Sequence, residues 1–187
     1  MIPTIMTSRL ALRAFTSDDV GPLHTILNED GILRHFPNPE PPDRGRVQKF
    51  IAAQLQHWEE REYGWWAVEP RERHELIGWS GLQYLPDTDE TEVAFLLSGR
   101  CWGKGLATEG ARVGLAFGFE RFHFGQIVAV AHPENAASLR VLEKLGMSFT
   151  YEAVYFGMPV RRYVLDSASF QGTAGTAHRD RSQESIA

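Results

Sequence analysis

A chain of 187 residues, 43% hydrophobic and 23% charged, has the make-up of one ordinary globular domain with enough apolar side chain for a substantial core. Its net charge of −5 and pI near 5.8 exclude bulk electrostatic attraction to nucleic acid or to an anionic membrane. The single cysteine, Cys101, excludes an internal disulfide framework and suits a reducing cytoplasm; no apolar run approaches the ~20 residues of a membrane span, and the start MIPTIMTSRL lacks a signal pattern.

Leu10, Leu12 and Ala14 alternate with Ala11, Arg13 and Phe15, which predicts a short strand from about Ser8. Ser17-Asp18-Asp19 reads as a helix N-cap with an acidic first turn, followed by Leu23, Ile26 and Leu27 at helical spacing. Pro22 is tolerable only near that start. Residues 35–42, HFPNPEPP, can be neither regular helix nor inner strand and make a stiff connector. From Asp43 a second helix carries Val47, Phe50, Ile51, Leu55 and Trp58 on one face. Strands are predicted over Trp65–Val68, Leu76–Tyr84 and Thr91–Leu97, an antiparallel meander. Alternation divides Trp65, Trp66, Trp79 and Tyr84 between the core and a pocket. The charged run 71–75 between the first two strands reads as a solvated turn.

The most informative stretch follows. The strand ending at Leu97 turns at Ser98-Gly99, passes through Arg100-Cys101-Trp102-Gly103-Lys104-Gly105 and continues as a helix. Glycines suit a turn in which backbone N–H groups converge, and a helix start adds unpaired donors and the positive end of its dipole. Arg100 and Lys104 add positive charge. Together these features make a cradle for a pyrophosphate. A Walker A loop fails, because Lys104 is followed by Gly105 rather than by a hydroxyl residue that could hold magnesium. A dinucleotide fingerprint on Gly103-x-Gly105 is weak. Thr108 stands where Gly or Ala is wanted, and the next strand ends in His132 rather than in an acidic residue. Cys101 lacks a local partner base and reads as a small loop residue rather than a nucleophile.

Gly110, Gly114 and Gly118 recur at four-residue steps along the next helix. At roughly 1 kcal/mol each against alanine, they imply an unusually close approach to the sheet. Ile127–Ala131 is an apolar run of the kind buried on both faces. Asn135 is a good N-cap for a helix that Gly146 ends. Residues 148–156 and 161–165 read as a closing hairpin around Gly157-Met158-Pro159. One domain over 1–168 is expected, with a polar, disordered tail over 169–187.

Two segments carry a family resemblance. Arg100, Gly103 and Gly105 fill the pattern Arg/Gln-x-x-Gly-x-Gly/Ala after a strand, which resembles the coenzyme A pyrophosphate loop of the GCN5-related N-acetyltransferases (GNAT). The fuller run WGKGLATEG is similar to the ribosomal-protein N-terminal acetyltransferase branch. NAASLRVLEKLGM, from Asn135, resembles the Asn-x-x-Ser…Glu-Lys-Leu-Gly-Phe pattern of the same branch, with Met147 where Phe is usual. The resemblance implies an α/β (α+β) GNAT fold, a mixed twisted sheet of about seven strands with helices on both faces. It implies an acetyl-CoA-dependent transferase acting by direct attack of a primary amine, either a protein N-terminus or a small amine, without a metal.

Family roles then fall on particular positions. The two central strands splay, and backbone groups of Phe95, Leu96 and Leu97 meet the pantetheine. Amides of Arg100, Cys101, Trp102, Gly103, Lys104 and Gly105, with Leu106 and Ala107 opening the helix, hold the pyrophosphate. Asn135 and Ser138 lie beside the pantetheine and the thioester. Many members use a tyrosine seven residues after that asparagine, where this chain has Leu142, so Ser138 takes the leaving-group role. Glu92 is the expected general base, with His132 as the alternative. The connector with Phe36 forms a wall of the acceptor site. A non-catalytic acyl-CoA sensor and a nucleotide-dependent oxidoreductase are the competing readings, and the assembly is expected to be a monomer or homodimer.

Overall fold

The computed structural model describes residues 1–170. Its strands are β1 (Ile5–Met6), β2 (Leu10–Arg13), β3 (Trp65–Pro70), β4 (Gly78–Leu85), β5 (Glu90–Leu97), β6 (Gln126–Ala131), β7 (Ser148–Tyr155) and β8 (Met158–Asp166). They form one eight-stranded sheet in the order β1-β2-β3-β4-β5-β6-β8-β7. That is one strand more than the expected seven. The extra strand, β1, folds back on β2 through Thr7, whose hydroxyl accepts the Leu10 N–H at 2.8 Å. Two residues are too few to show a period in sequence. Neighbouring strands are antiparallel except β5 and β6, which run parallel.

Four helices, α1 (Val20–Leu27), α2 (Arg44–Arg61), α3 (Leu106–Phe122) and α4 (Ala136–Lys144), cover the two faces. Strand alternation decides what each helix meets. Leu96, Ala67 and Trp79 face α1 and α2, packing with Leu23, Ile26, Val47 and Ile51. Val93, Leu97, Trp66 and Ile127 face the other way, against Ala111, Leu115, Leu139 and Leu142 of α3 and α4.

The first helix starts differently from the expected Ser17 cap. The Thr16 N–H donates to Asp19 Oδ2 at 2.7 Å, a 3-10 turn spans Ser17–Asp19, and α1 follows. Asp19 is buried and also takes a forked pair of hydrogen bonds from Arg13, so its carboxylate organises the turn. The second helix does begin after Asp43, whose Oδ1 accepts the Arg46 N–H at 2.7 Å. The glycine stripe lies against β4. A Cβ on Gly114 would stand 3.4 Å from Gly81 Cα, and one on Gly110 3.4 Å from Ser80 Cβ. The closing hairpin turns at Phe156-Gly157, both in the left-handed region, so Met158 and Pro159 belong to β8 rather than to the turn. Phe170 packs on Phe119 with ring centroids 5.0 Å apart. From residue 171 onward the expected tail lies outside the described residues.

Candidate active site

The site grows out of one topological fact. β5 and β6 share a single ladder pair, Glu92 with Val128, and beyond it they part. Hydrogen bonding alternates along an antiparallel pair. The Ser98 N–H donates to Ile77 O at 2.8 Å, and with the β4–β5 register this turns the backbone groups of Leu96 toward β4. Those of Phe95 and Leu97 therefore point into the opening. The Leu97 carbonyl accepts the Trp102 indole N–H at 2.7 Å, which folds the following loop against the β5 edge.

Glu92 sits at the apex where the strands part. It is 4% exposed, and its side chain lies on the same face as Ala94 and Leu96, toward α1 and α2. One carboxylate oxygen accepts the Val130 N–H from β6 at 3.2 Å, and the other accepts the Gln83 amide from β4. Burial is the dominant influence on it and pushes its pKa up to about 7. The Gln83 and Val130 bonds pull the other way, and nearby Glu90 adds to the rise.

The loop after β5 gathers backbone N–H groups that have no acceptor among the described residues. Gly103 and Gly105 have φ of 74° and 75°, left-handed values that glycine adopts without strain. Among the described residues, the N–H groups of Gly103, Lys104, Gly105, Leu106, Ala107 and Thr108 have no acceptor. A Cβ on Gly103 would meet nothing within 4 Å, so the space beside its backbone is open. The loop is braced from behind. Glu29, just past α1, accepts Ser98 Oγ at 2.6 Å and the Gly99 N–H at 2.7 Å. Arg9 donates to Lys104 O at 2.8 Å and to Glu109 Oε2 at 2.7 Å. Arg100 pairs with Glu75 at 2.7 Å, with both side chains about half exposed (52% and 47%), so the cation is free to exchange partners. Cys101 is buried, and burial pushes its thiol up against the pull of Arg100 and Lys104, the opposite of what a nucleophile needs.

Asn135 caps α4, with Oδ1 accepting the Ser138 N–H at 3.1 Å. Ser138 is half-buried in the first turn, and its hydroxyl has no partner among the described residues. Leu142 is 2% exposed and packs in the core, so nothing reaches the opening from that position. His132 stacks on His35 of the connector, with ring centroids 5.1 Å apart, and its Nδ1 accepts the Glu134 N–H at 3.2 Å. A neutral imidazole has one free lone pair, and here it is engaged. Phe36 lies edge-on to Trp79, whose ring stacks on Trp65 at 3.9 Å.

Sequence reasoning missed Gln83, Glu29 and His35. Glu29 and His35 act through residues about 70 or more positions away, and Gln83 through strand register, so no local spacing advertises them.

A splayed parallel pair, a glycine turn at a helix N-terminus and a buried carboxyl at the apex stand together at one end of the sheet. The family model for the acetyltransferase (GNAT) domain matches residues 9–148. The chain belongs to the GNAT acetyltransferase family, and its activity is acetyl-CoA-dependent N-acetyl transfer. It is 28% identical to the uncharacterized N-acetyltransferase YoaA of Bacillus subtilis, over 78% of this chain and 83% of YoaA. An acetyltransferase structure from Agrobacterium tumefaciens matches with a TM-score of 0.77 at 24% identity, covering 88% of this chain and 95% of its own. RimL, a ribosomal alpha-N-protein acetyltransferase solved with coenzyme A, shares the fold at TM-score 0.74 and 17% identity, over 90% of this chain and 98% of its own. No helix of the described residues is long and apolar enough to cross a membrane.

Proposed function

We propose that this chain acetylates a primary amine, a protein N-terminus or a small amine, by direct attack on the thioester of acetyl-CoA. The observation that carries this reading is the loop's six unpartnered N–H groups at the mouth of the β5–β6 opening. A pyrophosphate accepts several hydrogen bonds at once and gains from the helix dipole. The left-handed glycines leave room for it, and Arg100 adds charge once released from Glu75. The cleft-facing groups of Phe95 and the Leu97 N–H extend the sheet edge toward the pantetheine amides, in the manner of an added strand.

Acetyl-CoA supplies the activated acyl group; the chain supplies position and proton management. An amine near neutral pH must lose a proton before it can attack. Glu92 fits that task, because a carboxylate with a pKa near 7 is both available and basic at working pH. The Nδ1 of His132, the alternative, is already occupied by the Glu134 N–H. Ser138, with an uncommitted hydroxyl beside the Asn135 cap, donates a hydrogen bond to the departing thiolate.

Acetylation of N-terminal peptides and small amines, assayed side by side, tests the reading. RimL supports a protein N-terminus as acceptor. A match of 32% identity over 40% of this chain to an Aspergillus fumigatus FsC-acetyl coenzyme A-N(2)-transacetylase keeps the small-amine arm in the screen. Turnover with either class supports transfer. Tight acetyl-CoA binding with no turnover on any amine would establish the sensor reading instead.

A further inference from the structure

We infer that His35, His132 and Glu134 form a binding site for a borderline transition-metal cation of the Zn2+ class. One ligand atom from each of the three side chains lies within 4.8 Å of the other two. They come from two segments that only the fold brings together, the connector between α1 and α2 and the turn that follows β6. Two imidazoles and one carboxylate are the donor set that suits Zn2+, Cu2+ or Ni2+, whereas Mg2+ and Ca2+ prefer oxygen alone.

The geometry is close to what such a cation needs. Bonds of about 2.0–2.1 Å in a tetrahedral arrangement put neighbouring donor atoms ~3.4 Å apart. Closing from 4.8 Å is side-chain movement, not a change of fold. His35 is half-buried on irregular backbone and Glu134 is exposed, so both have room to turn. The two rings, now inclined at 25°, open out of their stack as their lone pairs swing to a common point. His132 lies two residues from Glu134, and its ring turns to give up the Glu134 N–H and present a nitrogen lone pair to the cation. Three protein ligands leave the fourth position to water. Occupancy ties the connector to the end of β6, on the sheet face that carries Glu92.

The site is independent of the acetyl-transfer reading, and it is tested without acetyl-CoA. ZnCl2 is titrated calorimetrically into the full chain, its His132→Phe and Glu134→Gln variants, and His35→Gln. His132→Phe keeps a ring on His35 but removes the lone pair. His35→Gln alters only the surface connector, and so keeps the test open if a change beside β6 impairs folding. Wild type should take up one equivalent, uncontested by MgCl2. His132→Phe and His35→Gln should each lose at least ~10-fold in affinity, since even outer-shell changes at metal sites cost that much. Glu134→Gln should lose less. Zn2+ should raise the melting temperature of wild type and not of His132→Phe. Absence of saturable uptake, or equal uptake by all three variants, overturns the assignment.

Discussion

Replacing Glu92 with Gln tests its contacts at the apex and its proposed role as base together. The substitution keeps the shape. The new amide oxygen can accept the Val130 N–H, and its NH2 can donate to Gln83 once that amide turns over. What changes is the proton. With a pKa of about 7, Glu92 is about one-tenth ionised at pH 6 and about nine-tenths at pH 8. The ratio of kcat/KM between wild type and Glu92→Gln, taken on one acceptor so that the amine's own titration cancels, should therefore rise about tenfold across that range. Stability gives a second reading with a fixed sign. The folded pKa lies above the ordinary 4.5, so native protein holds the proton more tightly than unfolded protein. The carboxyl's contribution is thus fully present below pH 4.5 and is lost as pH rises through about 7. Glu92→Gln removes that loss, which is on the order of 3 kcal/mol. Its stability relative to wild type should therefore increase between pH 5 and pH 8, read by urea melts at each pH. A kcat/KM ratio that stays flat from pH 6 to 8 would remove Glu92 from the proton transfer. A flat stability difference would show that its carboxylate is not desolvated as the structure has it.

Further expectations follow from the cradle, the helix and the glycines. Gly103→Val forces a branched residue into φ 74° and fills the open side of the loop; acetyl-CoA binding measured by calorimetry should be lost. Arg100→Ala should weaken binding less, by several-fold, because its exposed cation adds to donors that are mostly backbone. Ser138→Ala should lower turnover ~10-fold and leave acetyl-CoA affinity nearly intact; unchanged turnover where chemistry limits the rate would make Ser138 only structural. Gly78→Ala should destabilise more than Gly118→Ala in urea melts. At Gly78 the added Cβ would stand 2.0 Å from the Leu96 carbonyl oxygen, fixed backbone, whereas at Gly118 it meets the end of the Ile127 side chain at 2.7 Å.

What the sequence disclosed tracks how local the information is. The turn and helix start after β5 were legible because they are contiguous, and φ > 0 at Gly103 and Gly105 is written in residue type. The Asn135 cap was legible for the same reason. The close approach of α3 could be foreseen from three glycines at helical spacing, though not that Gly81 and Ser80 are what they approach. Strand pairing is non-local, so Glu92 could be named but not its partners, Gln83 and Val130, nor the raised pKa that burial between them produces. Glu29 and His35 show the same limit. Their roles exist only because Ser98 and His132 arrive beside them in the fold.

The opening and the buried Glu92 carboxyl are consequences of one arrangement. The glycine stripe draws α3 down onto β4 and β5, while Glu109 in its first turn holds the Thr7–Arg9 segment ahead of β2. β6 pairs fully with β8 on its far side but with β5 only at Val128, which leaves its near edge without a strand partner. An unpaired buried edge is costly, because each N–H left without an acceptor forfeits its desolvation. Glu92 meets the first such group, Val130, and thereby marks where the sheet stops and the opening begins. A neutral acceptor could do that much. A carboxyl adds the capacity to take a proton at that place, and Gln83 suits both of its states, offering an N–H to the carboxylate and, turned over, a carbonyl to the acid. In the proposed mechanism, the group that ends the ladder is also the one that takes the proton of the attacking amine.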